Sequence, residues 1–347
     1  MPKGIGGIDL MSASKKTALV ISGGGAKGAF AVGVLRYLFL TYRHRGWFDI
    51  TGGTSTGALI SPMAALMAAP GPMGTEALET LMRMYTTVST PDILRRRKIF
   101  QLMRHPDGFY DSDPLNHLVR RHFSQRQFDW LQRRGAPDCY VVYTNYQSGE
   151  TVNVSSKDKG ITREKFIKAI LASASVPMAM EPTVISRKDC YDGAVRDLLP
   201  LGKAIELGAE TILPVFLDPE KFEETKKRFK RMDKVLFRTL DIMKDENVRN
   251  DYEKARLINM GIQAKEEILK VFQGNPAALA KLRNVFGREE FSPLFGSEKR
   301  LIKIVTGLRP DKLLTEDPLT FDPVKMKKWV ALGWKKAEEV LKRSPFV

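Results

Sequence analysis

The chain is poor in the residues that would staple it, coordinate a metal or anchor it in a membrane. Its two cysteines, Cys139 and Cys190, lie far apart and fit no disulfide framework, metal site or redox pair, so the sequence predicts a packed core in a reducing compartment. It has four histidines, His44, His105, His117 and His122, and none follows position 122. That excludes a hydrolase triad in the order Ser, Asp or Glu, then a late His. The longest apolar run, around Ala58 to Ala69, is broken by Ser61 and Pro62. It falls short of the roughly 20 residues needed to span a bilayer. The first residues carry Lys3, then Gly4, Gly6, Gly7 and Asp9, without the apolar stretch of about 7 to 15 residues in a secretory signal, which predicts a cytoplasmic protein. There is no internal repeat and no low-complexity tract.

Positive charge, by contrast, is in excess. Over 347 residues, 56 Lys and Arg face 40 Asp and Glu, a net charge of +16. Such a balance favours an anionic partner, either nucleic acid or the headgroups of an anionic membrane. The clusters Arg95-Arg-Arg-Lys98, Arg120-Arg121, Arg133-Arg134 and Lys226 to Arg231 form no nucleic-acid module with interleaved aromatics. Nucleic acid is therefore disfavoured, and an anionic membrane surface is the expected partner for those clusters that are not simply solvated.

Residues 1–16 are rich in Gly and Ser and predict a loose leader. Thr17 to Ile21 is an apolar run suited to a buried parallel strand, Gly23 to Gly28 is a glycine turn, and Ala29 to Tyr42 has helical periodicity. The unit recurs: Trp47 to Ile50 leads into Thr51 to Gly57 and then an Ala- and Met-rich helix. Two strand–turn–helix units in succession imply a parallel sheet with crossover helices. Residues 70–136 predict surface helices and loops. Cys139 to Tyr143 and Thr151 to Val154 predict a hairpin, Arg163 to Ser173 a helix, and Thr211 to Leu217 a strand whose Pro214 suits an edge or a strand end. The long helical pattern of 218–299, with Met232, Leu236, Leu240 and Met243 at helical spacing, reads as an inserted segment whose stripe packs into the core. Strand character returns at Arg300 to Val305, and a helix from Pro323 to Leu341 completes a core begun over 17–217.

Three motifs carry chemistry. Gly53-Thr54-Ser55-Thr56-Gly57 fits the G-x-S-x-G nucleophile elbow and lies between a strand and a helix, the context the motif needs. Gly23, Gly25 and Gly28 satisfy G-x-G-x-x-G with Asp49 about 20 residues on, the pattern of a dinucleotide fingerprint, but Asp49 precedes its strand instead of ending it. With Lys27 before Gly28 and no Lys-Ser or Lys-Thr pair, the cluster is not a Walker A loop. Its remaining reading is an oxyanion hole, in which the backbone amides of Gly23, Gly24 and Gly25 converge on a developing negative charge. With no late histidine, a carboxylate acting directly on the serine is the stronger option for a base, although a histidine in another order stays open. Asp192, before Gly193 in a tight turn at the end of a short strand, is the best carboxylate.

Glycine-rich loop, G-x-S-x-G elbow and downstream Asp-Gly-Ala, in that order, resemble the patatin-like phospholipases. The family's Gly-Gly-Gly-x-Lys-Gly loop is matched by Gly23 to Gly28, its Asp-x-x-x-Gly-Thr-Ser-x-Gly elbow by Asp49, Gly53, Thr54, Ser55 and Gly57, and its catalytic Asp-Gly-Ala by Asp192, Gly193 and Ala194. Ala172-Ser-Ala-Ser-Val-Pro177 is similar to the run before the family's aspartate. Met180-Glu181-Pro182 departs from it, since many relatives have an aromatic residue before the proline. The resemblance implies a three-layer α/β/α fold with a mostly parallel sheet and a helical insertion. It also implies a Ser55–Asp192 dyad that cleaves fatty acyl esters of phospholipids at a membrane surface, with neither metal nor organic cofactor, and with Lys27 orienting the loop or steadying a lipid phosphate. The competing reading is a non-catalytic lipid- or nucleotide-binding protein that uses the glycine loop as an anion cradle.

Overall fold

The computed structural model describes residues 16–104, 107–220, 232–286, 302–305 and 307–343, with 228, 230 and 288. The first strand, β1 (Lys16–Ile21), has five of its six residues buried. Leu19 and Ile21 enter a core on one face, Ala18 and Val20 a core on the other. A strand apolar on both faces needs a helical layer on each side. A short turn at Gly25–Lys27 leads from it into α1 (Gly28–Tyr42), and β2 (Ile50–Thr54) passes through Ser55 alone into α2 (Thr56–Leu66).

An excursion follows: α3 (Pro72–Thr87), α4 (Thr90–Ile93), β3 (Arg95–Arg96), α5 (Ile99–Arg104), β4 (Tyr110–Asp111), α6 (Asp113–His122) and α7 (Gln125–Leu131). The chain re-enters the sheet as β5 (Asp138–Asn145) and β6 (Glu150–Ser155), then forms α8 (Arg163–Ala174), β7 (Thr183–Ile185), β8 (Lys188–Asp192), α9 (Leu201–Glu206) and β9 (Ala209–Val215). The rest comprises α10 (Met232–Val271), α11 (Pro276–Phe286), β10 (Lys303–Ile304) and a last helix, α12 (Pro323–Arg343).

Strands β10, β9, β1, β2 and β5 lie side by side and parallel. Both β6 and β8 pair antiparallel with β5, and β7 with β8. Residues of α1, α2, α3, α8 and α12 fill one core, and α9 with Tyr252 of α10 covers the other. The architecture is a three-layer α/β/α sandwich with a mostly parallel sheet. Among the described residues, no helix is long and apolar enough to cross a membrane.

Two details differ from the reading of the sequence. Of the stripe read along α10, Met243 is exposed, while the side chains of Met232, Leu236 and Leu240 lie outside those described; farther along the helix Tyr252 packs on Phe216 and Ile262 is buried. The strand expected over Arg300 to Val305 is confined to Lys303–Ile304, with 300 and 301 outside the described residues. Pro214, the penultimate residue of β9, lies at the strand end the sequence allowed for it: it pairs with Val20 of β1 but stands beyond the two-residue pairing of β10, where its missing N–H breaks no ladder with that strand.

Candidate active site

The register of β5 sets the strands that carry Ser55 and Asp192 end to end. β6 occupies one edge of β5 from Tyr140 to Asn145. On the other edge β2 pairs up to Thr54 with Val142, and β8, running the opposite way, ends at Asp192 opposite Tyr143. The two strands therefore meet head-on at consecutive positions of β5, and β2 must turn aside at its next residue. That residue is Ser55, with φ 57° and ψ −122°, strained backbone for a side chain of this kind. Gly53 and Gly57 allow the turn, because a Cβ on Gly53 would overlap the Gly57 carbonyl and one on Gly57 the Ile21 carbonyl oxygen.

The end of α8 braces both halves. Ser55 N–H donates to Ser173 Oγ at 2.9 Å, Ser173 Oγ donates to Val142 O, and Asp192 N–H donates to Ser175 O at 2.8 Å. The Ala-Ser-Ala-Ser run thus supplies one serine to each side of the junction. Ala194 N–H donates to Asp192 Oδ1 at 2.8 Å, and Thr144 Oγ1 donates to Asp192 O. Ser55 is 7% exposed and Asp192 2%.

The glycine loop lies at the neighbouring end of β1. Gly23 N–H donates to Leu198 O at 3.2 Å and Ala26 N–H to Pro318 O at 2.8 Å, which pins the loop at both ends. Among the described residues the amides of Gly24 and Gly25 have no acceptor. Gly25 has φ 58° and presses on the Pro318 carbonyl, so any side chain there would displace the segment that closes the loop. Gly28 opens α1 behind it, with the positive end of the helix dipole beside the same space.

A family model for patatin-like phospholipases matches residues 19–205, a span that holds the glycine loop, the elbow and Asp192. The chain belongs to that family. It is 28% identical over 225 residues to the uncharacterised Escherichia coli (strain K12) protein YjjU, which covers 64% of this chain and 57% of YjjU. The chain therefore spans little more than half of that relative. Among solved structures, VipD from Legionella pneumophila aligns with 96% of this chain and 68% of its own, with a TM-score of 0.43 and 12% identity.

Within this patatin-like site Lys27 is a buried residue, 1% exposed, with Nζ 2.5 Å from Asp218 Oδ1 just beyond β9. It lies under the glycine loop and ties it to the neighbouring strand; its ammonium is spent on Asp218, so it does not reach for a lipid phosphate. The Asp218 side chain is 39% exposed. The two ends of this pair differ in what their loss leaves behind. Asp218→Ala strands a buried cation, whereas Lys27→Met leaves a carboxylate that water can solvate, so Asp218→Ala is expected to cost about 2 kcal/mol more. Equal losses in urea denaturation would mean that Lys27 reaches water once released.

Asp49 is structural. Its Oδ2 accepts from Thr17 N–H at 2.8 Å and Thr17 Oγ1 at 3.2 Å, at the starting ends of β1 and β2 and away from the glycine loop. The dinucleotide reading fails on that placement. Gly193 is buried behind Asp192, where a Cβ would overlap the Val142 carbonyl.

An apolar cleft, open at its mouth, runs from Ser55, Gly25 and Pro318 between helices. Leu59 and Met63 of α2, Met84 of α3, Leu118 of α6 and Ile170 of α8 line it. Residues 70–136, expected as surface elements, are surface on one face only; their inner face walls the cleft. Tyr85 and His122 add polar groups. Burial pushes the Tyr85 phenol to about 12, and its hydroxyl lies 2.5 Å from Thr56 Oγ1. Burial also holds His122 below its ordinary value, with Arg83 and Arg121 adding repulsion, so the imidazole is neutral at pH 7. His44 and His117 are exposed, and His105 lies outside the described residues. At the departure from the family pattern, Met180 lines the cleft, while Glu181 pairs with Arg97 and accepts from Ser112 Oγ at 2.9 Å. Among the described residues no group of three metal-ligating side chains exists.

Proposed function

We propose that the protein is a lipid acyl hydrolase that cleaves fatty acyl esters of phospholipids through a Ser55–Asp192 dyad. The head-on meeting of β2 and β8 on β5 supports this reading: the strands that lead to the strained Ser55 and to the buried Asp192 end at consecutive positions of β5, and Ser55 lines an apolar cleft. Asp192 takes the Ser55 hydroxyl proton as the oxygen attacks the ester carbonyl, and the amides of Gly24 and Gly25 receive the oxyanion. The protonated Asp192 returns its proton to the leaving alcohol, and water, deprotonated by the same carboxylate, releases the acid. The cleft matches a single acyl chain in chemistry, and no step calls on a metal or organic cofactor.

Fatty-acid release from phospholipid vesicles tests the reading, and it is expected to require both Ser55 and Asp192. His122 separates the dyad from a histidine mechanism. As part of the cleft wall, His122→Gln is expected to raise KM while sparing kcat within about fivefold. A loss of kcat as deep as that of Ser55→Ala would transfer the base to His122.

A further inference from the structure

The chain between Leu94 and Tyr110 leaves the wall of the cleft and returns to it. Ile93 and Leu94 line the cleft before the excursion, and Tyr110 bridges to Met180, another lining residue, after it. Its base is well held. β3 pairs with β4, and Phe109 and Tyr110 N–H donate to Met178 O and Ala179 O at 3.2 and 2.8 Å. Arg97, its side chain 8% exposed, pairs with Glu181 and Asp107 and donates to Gly108 O.

Its tip is the opposite. α5 has no buried residue: Ile99 is 82% exposed, Phe100 54% and Met103 76%. Arg95, Arg96, Lys98 and Arg104 flank these side chains along the chain, all exposed, with Arg104 over the Phe100 ring, and among the described residues none of the four is in an ion pair. Three large apolar groups held in water on a pinned stalk, flanked by cations outside any ion pair, form the two-zone surface that an anionic bilayer satisfies, with apolar groups below the headgroups and cations among the phosphates. The same cations disfavour a symmetric second copy on this face, which would set four cations against four.

We propose that α5 and its flanking cations dock the protein on anionic bilayers, holding the cleft mouth at the lipid surface. This rests on the acyl-hydrolase reading only for its purpose; the docking itself stands or falls separately. The test uses the full chain carrying Ser55→Ala, so that vesicles stay intact, co-sedimented with phosphatidylcholine vesicles with or without roughly 30% phosphatidylglycerol. Partitioning is expected to need the anionic lipid and to fade at high salt. Ile99→Ser/Phe100→Ser/Met103→Ser should weaken it about tenfold. Arg95→Gln/Arg96→Gln/Lys98→Gln should weaken it roughly a hundredfold.

With Ser55 restored, both triple variants should hydrolyse a soluble monomeric butyrate ester like the unaltered protein, which shows them folded. Unchanged partitioning of both would overturn the proposal. So would a dimer in sedimentation equilibrium that the apolar triple abolishes while vesicle binding persists, since the occupant would then be a second copy. Docking that depends on α5 in a protein that hydrolyses no ester would uphold the surface and sink the hydrolase reading instead.

Discussion

Ser55→Ala is expected to reduce fatty-acid release from phospholipid vesicles by at least about 10,000-fold, since it removes the oxygen proposed to form the acyl-enzyme. Asp192→Asn should cost about 1,000-fold or more, because the amide keeps the shape and can still accept the Ala194 N–H but cannot take a proton. The double variant should be little worse than either single one, as serine and base act as a unit. Both side chains are small and buried at a strand junction held by main-chain and Ser173 and Ser175 contacts, so the variants should melt near the unaltered protein. The sign of the pH dependence follows from the same assignment. A carboxylate base works only when ionised, so kcat/KM is expected to fall on the acid side, and the Asp192→Asn residual activity to lose that limb. An Asp192→Asn variant that keeps a tenth of the rate would sink the dyad.

What could be read in advance followed from local chemistry. The run Thr17 to Ile21 is apolar without alternation because β1 is buried on both faces, and the glycines around Ser55 stand where three backbones crowd. Asp192 was visible as an Asp-Gly turn after a short strand. Hidden were the relations between distant segments. Nothing near Lys27 shows that Asp218, 191 residues on, buries it, and no motif shows that Pro318 closes the glycine loop. The meeting of Thr54 with Asp192 depends on both pairing to one edge of β5, a register set by tertiary packing. The inner wall of 70–136 was masked because α3 and α6 place apolar residues at helical spacing among charges, as with Leu78, Leu81 and Tyr85. Periodicity shows such a face without saying what it covers.

The C-terminal helix gives the second large expectation, Gly333→Val. On α12, Met326, Val330, Ala337 and Leu341 form a buried stripe at three- and four-residue spacing, and Gly333 sits in its middle. A Cβ on Gly333 would overlap the Phe30 carbonyl oxygen of α1, and one on Gly33 would overlap the Val330 carbonyl oxygen of α12, so the two helices cross backbone to backbone at a pair of glycines. Tyr37 meets Trp334 edge-on beside the crossing, with ring centroids 5.2 Å apart. A valine forces the axes apart across that whole stripe, at an expected cost of about 3 kcal/mol. For a chain of this size that lowers the melting temperature by about 4 °C. Leu332→Gln, one residue away at 48% exposure, should leave it nearly unchanged. The loss should reach the site as well: Pro318, whose carbonyl holds the Ala26 amide, leads into α12, and Gly28 begins α1, so the crossing supports the glycine loop from both sides. Gly333→Val should therefore lose ester hydrolysis along with helical circular dichroism on heating. A Gly333→Val protein that melts with the unaltered one would show that α1 and α12 do not approach this closely.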